Sequence, residues 1–172
     1  MRLAIVHDYL NQMGGAERVV EILCEAFPQA PLYTSIYLPN NMPDSFQNLQ
    51  IRTSFMQSLP FLNRHFKKYL LLYPFAFEHF NLSEYDVILS SSSAWAKGVA
   101  RGPNACHICY CYTPMRWIWN YEDYVAKESF GALTRKILPL AINHLKKWYL
   151  ATNNRVDHFI AISKYVAEKI KR

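Results

Sequence analysis

Two rhythms of hydrophobic and polar positions alternate along the chain: short continuous apolar runs, and longer stretches with a period near 3.6. Leu3-Ala4-Ile5-Val6 is a continuous run and predicts a strand buried on both faces. From Ala16 the rhythm changes. Ala16, Val19, Val20, Leu23, Cys24 and Phe27 follow the i, i+3, i+4, i+7 spacing of one helix face, while Glu17, Arg18, Glu21 and Glu25 lie towards the other side. Pro28 ends that helix. Between strand and helix stands Gly14-Gly15, the one Gly pair among five glycines.

The alternation continues to the last residue. Pro31 to Tyr37 is β-rich and follows the first helix at crossover distance, which completes a β-α-β unit. Pro39 to Asp44 is a turn-rich loop, and Gln50 to Phe55 reads as a short third strand. Between Pro60 and Pro74 the pattern predicts an amphipathic helix with Leu62, Phe66, Tyr69, Leu70 and Tyr73 on one face and Arg64, Lys67 and Lys68 on another. Tyr85 to Ser90 is a fourth strand leading into the polar Ser91-Ser92-Ser93, and His107 to Tyr112 is a fifth, stopped by Thr113-Pro114. Leu133 to about Asn153 predicts a long helix with Leu133, Ile137, Leu140, Ala141, Leu145, Trp148 and Thr152 along one side, kinked or restarted at Pro139. His158 to Ile162 is a sixth strand, and Ser163 is placed to cap a final helix from Lys164. Strands alternating with helices predict an α/β domain of three layers, with a mostly parallel sheet between helices.

Composition narrows the class. With 172 residues, 51% hydrophobic and 19% charged, the chain suits one folded domain rather than a disordered segment. A formal charge of +6 favours phosphates, anionic lipid or nucleic acid as partners. The chain carries no RNA-binding or zinc-finger signature, so nucleic acid is not expected. The first strand begins at Leu3 without a signal-peptide hydrophobic region, and the apolar run from Tyr69 to Phe77 is too short to span a bilayer. The expectation is a cytoplasmic protein with reduced thiols.

Four stretches carry candidate chemistry. A strand, the Gly14-Gly15 turn and the positive end of a helix together form an anion site or, equally, no more than a tight turn. The dinucleotide fingerprint needs three spaced glycines and an acidic residue after the second strand; here there is one pair, and Tyr37-Leu38-Pro39 follows that strand. A P-loop needs Lys-Ser or Lys-Thr after the glycines, which is missing. In Cys106-His107-Ile108-Cys109-Tyr110-Cys111, strand alternation puts Cys109 and Cys111 on one side and Cys106 on the other. No second pair completes a tetrahedral set, so core packing is the expectation and no metal is predicted.

The third stretch, Tyr112 to Asn120, follows the fifth strand, where α/β folds place ligand contacts. Arg116 offers a planar fork for phosphate or carboxylate, and Trp117 and Trp119 offer stacking surfaces; a Pro-turn with packed Trp residues is the plainer alternative. The fourth is the basic aromatic segment from Phe61 to Tyr73. Its Arg64, Lys67 and Lys68 beside bulky apolar residues suit an anionic membrane surface as well as an ordinary surface helix.

Taken as an ordered set, these segments resemble the N-terminal domain of the retaining, GT-B-type glycosyltransferases of family 4 (group 1). The markers are Ile5-Val6-His7-Asp8-Tyr9 with Gly14-Gly15-Ala16-Glu17-Arg18, then Tyr85-Asp86-Val87-Ile88 with Ser91-Ser92. Ala96-Lys97-Gly98-Val99, Tyr110-Cys111-Tyr112-Thr113-Pro114-Met115-Arg116-Trp117 and Ile160-Ala161-Ile162-Ser163-Lys164-Tyr165-Val166-Ala167 complete them. The resemblance implies one Rossmann-like half, residues 1–172, of an enzyme that moves a sugar from a nucleotide-sugar to a lipid-linked or polysaccharide acceptor. It also implies a C-terminal donor-binding domain that this chain lacks, so the chain alone is expected to be inactive.

By the same resemblance, Gly14 and Gly15 face the donor diphosphate, and Asp8, Ser92, Lys97, Arg116 and Trp117 line the acceptor side of the cleft. Tyr112 stands where relatives commonly carry a His that touches the reacting sugar, and Asn120 where they often carry Asp. The nucleotide-sugar is a co-substrate, and no cofactor is implied. Attachment at the inner membrane face through Arg64, Lys67 and Lys68 completes the expectation. The competing expectation is a non-catalytic Rossmann-like module that binds a glycolipid or membrane surface.

Overall fold

The computed structural model describes residues 1–115 and 132–171. The candidate residues Arg116, Trp117, Trp119 and Asn120 lie outside them. Within the described residues the strands are β1 (Leu3–His7), β2 (Leu32–Thr34), β3 (Ile51–Thr53), β4 (Val87–Ser92), β5 (Cys106–Cys111) and β6 (His158–Ala161). They form one sheet in the order β3-β2-β1-β4-β5-β6, and every pairing is parallel. This is an α/β, Rossmann-like fold. The order runs outward from β1 to β3 and then reverses to β4, so the crevice for ligands opens at the carboxyl ends of β1 and β4.

The register fixes what meets at that crevice. His7 pairs with Ser91, and Ser92 pairs with Cys111. Ser91 and Ser92, expected just past the strand, are its last two residues, because β1 and β5 on either side supply ladder partners that far.

Strand alternation divides the core. Ala4 and Val6 face one side with Tyr73, Phe77, Trp95, Leu145 and Tyr149, while Ile5 faces the other with Val20, Cys24, Leu32 and Phe46. Each large apolar side chain buried in this way contributes about 1.5–3 kcal/mol. Helix α1 (Gly15–Ala26) covers the second side through Val20 and Cys24; Phe27, expected on its core face, is 40% exposed just past the helix end. Cys109 and Cys111 are buried together beside Val166 of the last helix, so these thiols pack a core as their alternation predicts.

The single helix predicted between Pro60 and Pro74 is broken. Helix α2 (Leu62–His65) passes into a 3-10 segment over Phe66–Leu72, and α3 (Tyr73–Glu78) starts afresh with Pro74 in its first turn. Tyr69 leaves helical geometry at φ −86°, ψ 22°, and its hydroxyl donates to the Pro60 carbonyl at 2.7 Å. The polar and apolar division survives the break: Leu62 and Tyr73 are buried while Arg64, Lys67 and Lys68 are exposed.

The long helix α4 (Ala132–Ala151) continues through Pro139, and its inward face keeps the predicted Leu145 and, just past its end, Thr152 but is rotated away from Leu140. Ile142, Leu145 and Tyr149, followed by Thr152, are buried, and Leu140, expected inside, is 73% exposed. After β6, helix α5 (Lys164–Lys171) is capped by Ser163, whose hydroxyl oxygen accepts from the Val166 N–H at 3.2 Å, as the sequence predicts. Among the described residues no helix is long and apolar enough to cross a membrane.

One close contact joins α4 to the turn that follows β4. A Cβ built on Gly98 would lie 2.3 Å from the Trp148 ring. Trp148 cannot yield freely, because its indole N–H donates to Glu78 at 2.8 Å and Arg155 holds the same carboxylate at 2.6 Å. Gly98→Ala should therefore destabilise the protein by roughly 1–3 kcal/mol, as overpacking does; a urea midpoint unchanged from wild type would contradict this packing.

Candidate functional site

The crevice at the switch point is built from β1, β4, the first turn of α1 and the end of β5. Asp8, immediately after β1, is 3% exposed. Its Oδ2 accepts the backbone N–H of Ser93 at 2.7 Å and Ala94 at 2.9 Å, and its Oδ1 that of Trp95 at 2.8 Å and Ala96 at 2.7 Å. The Ser92 hydroxyl adds a fifth contact at 3.3 Å. Successive N–H groups converging in this way make an anion-binding concavity, and here the anion is the chain's own carboxylate. Asp8 and Ser92, both expected on the acceptor side, thus bond to each other and to the turn beneath the cleft.

Lys97 follows that turn and points away from it. Its ammonium donates to the Tyr149 carbonyl at 2.6 Å, to Thr152 Oγ1 at 2.9 Å and to Asn153 Oδ1, and sits 3.6 Å from the Tyr149 ring centroid. It thereby closes the carbonyl end of α4, where a cation is favoured. Burial pushes its pKa down to about 8, partly offset by the neighbouring thiols.

Gly14 is the N-cap of α1, and neither Gly14 nor Gly15 has a left-handed backbone. Gly14 serves space instead, and Gly15 does not. A Cβ on Gly14 would lie 2.8 Å from Glu17 Oε2, whereas one on Gly15 would meet nothing within 4 Å. Glu17, predicted towards the solvent side of α1, is only 6% exposed: it curls back over the cap from the third helical position. Burial alone would raise its carboxyl pKa. The hydrogen bond from His7 and the backbone N–H groups of Glu17 and Gly14 outweigh that and hold it below the usual carboxylate range.

His7 joins these pieces. Its Nδ1 lies 3.0 Å from both the Ser91 carbonyl and the Ser91 hydroxyl, and its Nε2 lies 3.5 Å from Glu17 Oε1. Ser91 Oγ is in turn 2.8 Å from the Tyr112 hydroxyl, which donates to the Ala16 carbonyl at 3.0 Å. Because that carbonyl can only accept, the Tyr112 hydroxyl accepts from Ser91. Burial pushes the phenol pKa well up. Tyr112 therefore pins the first turn of α1 to the end of β5, and its one proton is committed there.

The structure brings Asp8, Gly14, Gly15, Ser92 and Tyr112 to one end of the sheet and turns Lys97 towards α4; Arg116 and Trp117 are outside the described residues. Arg64, Lys67 and Lys68 sit on the neighbouring 62–72 segment, whose Phe66 ring packs 5.7 Å from that of Tyr9. Sequence reasoning missed His7 and Glu17. The signals were there: an acidic residue three positions after a Gly cap, and a His at a strand's carboxyl end. A cavity of about 490 Å³ lies at the other end of the sheet, lined by Arg2, Arg52, Glu84 and Tyr85 among others, away from this network. Among the described residues no group of three or more His, Cys, Asp or Glu side chains could hold a metal ion.

No curated protein and no solved structure matches the chain. The model of Glycosyltransferase Family 4 matches residues 13–172, from the residue before Gly14-Gly15 through the last helix. That span carries the α1 cap, the Asp8-bound turn and every described strand after β1, and on it the chain belongs to Glycosyltransferase Family 4.

Proposed function

We propose that this chain is the N-terminal, acceptor-side half of a retaining GT-B enzyme that transfers a sugar from a nucleotide-sugar to a lipid-linked or polysaccharide acceptor. The observation that carries the reading is the family match over residues 13–172, with its Gly14-Gly15 loop at the amino end of α1 on the switch point. Backbone N–H groups and the helix dipole at that end suit the charge that develops on a leaving diphosphate. A C-terminal domain would deliver the nucleotide-sugar across the cleft. Tyr112 takes a positioning part, because its hydroxyl already bridges Ser91 and the Ala16 carbonyl.

Gly15 offers a test in which loss of function is separable from loss of fold, since a side chain there meets no neighbour within 4 Å. In the longest protein its gene encodes, Gly15→Glu should lower kcat/KM for the nucleotide-sugar on the order of a hundredfold, with an unchanged melting temperature. Full transfer by the variant, or no nucleotide-sugar turned over by the wild-type protein, would overturn the reading.

The acceptor side of the proposal includes an anionic membrane surface. Arg64, Lys67 and Lys68 are exposed, and the same part of the chain exposes Phe55, Phe61, Leu71 and Phe75. Phe61 is 77% exposed and holds φ 54°, a left-handed backbone that is strained for a bulky side chain. Exposed aromatics among cations suit shallow insertion between anionic headgroups. Wild-type chain should float with anionic vesicles and stay behind with neutral ones, and K67E/K68E should abolish flotation. Equal flotation of the variant, or none by wild type, would count against membrane contact.

A further inference from the structure

Two clusters of backbone N–H groups face the crevice, and a carboxylate of the chain itself attends each. They are held very differently. Asp8 is locked by four backbone N–H groups at 2.7–2.9 Å. Glu17 leans over the α1 cap with His7 Nε2 at 3.5 Å as its side-chain partner, although its side chain is only 8% exposed. It stands beside Gly14, in the space where the proposed donor phosphate would arrive. Like charges in so confined a place repel strongly, so Glu17 and a phosphate group cannot both sit there ionised and uncompensated.

His7 supplies the compensation. Its Nδ1 faces the Ser91 carbonyl and so carries a proton. Its Nε2 faces a carboxylate oxygen, a contact that attracts only if a second proton lies between them. With that proton the pair is neutral overall, whichever partner holds it; without it the pair carries a negative charge. Among the described residues, Tyr9 after β1 and Tyr112 after β5 also interact with Glu17, and both interact with Asp8 as well. Asp8 is satisfied by its amides, and burial raises both tyrosines, to about 12 at Tyr9, so none of them offers Glu17 a positive charge.

We propose that Glu17, paired with His7, is a specificity-determining residue of the donor site: its carboxylate holds the place of a donor phosphate at the first turn of α1, and His7 neutralises it when a diphosphate takes that place. The proposal rests on the glycosyl-transfer reading for the identity of the ligand, and on the geometry of His7, Gly14 and Glu17 for the gate. It gives Gly14 a specific task, because a Cβ there would stand 2.8 Å from Glu17 Oε2 and push that carboxylate from its place.

Calorimetric titration of the chain with inorganic pyrophosphate tests it, using E17Q, H7Q and the double variant E17Q/H7Q. E17Q should bind pyrophosphate about tenfold more tightly than wild type, H7Q should bind it more weakly by a similar factor, and the double variant should follow E17Q. Melting curves of all four proteins report folding separately. A purely structural pair would lower stability in both single variants and could not move affinity in opposite directions. Shifts of the same sign, an unchanged E17Q affinity, or no pyrophosphate bound by E17Q would each overturn the gate. Sugar transfer that persists while these affinities fail to diverge removes the gate and leaves the glycosyltransferase reading standing; divergent affinities in a protein that transfers no sugar do the reverse.

Discussion

A single buried carboxylate just after β1 clasps the turn that leaves β4, at the end of the sheet where ligands approach. Asp8 leaves β1 and takes the N–H groups of Ser93, Ala94, Trp95 and Ala96, which leave β4. Hydrogen bonds to a charged group contribute about 1.5–3 kcal/mol each, and a buried amide left unpaired costs a comparable amount. The turn that Asp8 holds starts the path to Lys97 and Gly98, and through them to α4: Lys97 closes the helix's carbonyl end and Gly98 admits Trp148. The crevice floor, the turn and the rear helix therefore stand on one interaction at the strand-order reversal.

Around that anchor the polar groups form a second chain, from Glu17 through His7 and Ser91 to Tyr112 and back to the Ala16 carbonyl. It ties the amino end of α1 to β1, β4 and β5. The same helix end that a donor diphosphate is proposed to approach is thus positioned from three strands, and its own anion is held less tightly than Asp8. A tight clasp suits a scaffold, and a loose one suits a place that is to be vacated.

Much of the fold was legible because it depends on local periodicity. The β1 run, the spacing from Val19 to Cys24 and the strand cores from β2 to β6 each declare themselves within a few residues. What escaped depends on partners far along the chain. Glu17 looked solvated on a helical wheel, yet His7 and the missing Cβ at Gly14 draw it inward. Lys97 looked like a cleft residue, yet the Tyr149 carbonyl and the Thr152 hydroxyl, more than fifty positions later, claim it. Leu140 lost its predicted place because Ile142, Leu145 and Tyr149 define the packed face. The helix between Pro60 and Pro74 broke at Tyr69, whose hydroxyl found the Pro60 carbonyl. Pattern gave the elements; long-range polar contacts decided how the site was furnished.

Amide hydrogen exchange in wild type and Asp8→Asn shows whether Asp8 anchors the crevice. The amide side chain replaces one accepting oxygen with an N–H₂ group that faces two backbone donors. Ser93 to Ala96 should be protected to the level of β1 and β4 in the wild-type protein. In the variant they should exchange by local opening while both strands stay protected. Unchanged protection of those four amides in Asp8→Asn would contradict that anchoring.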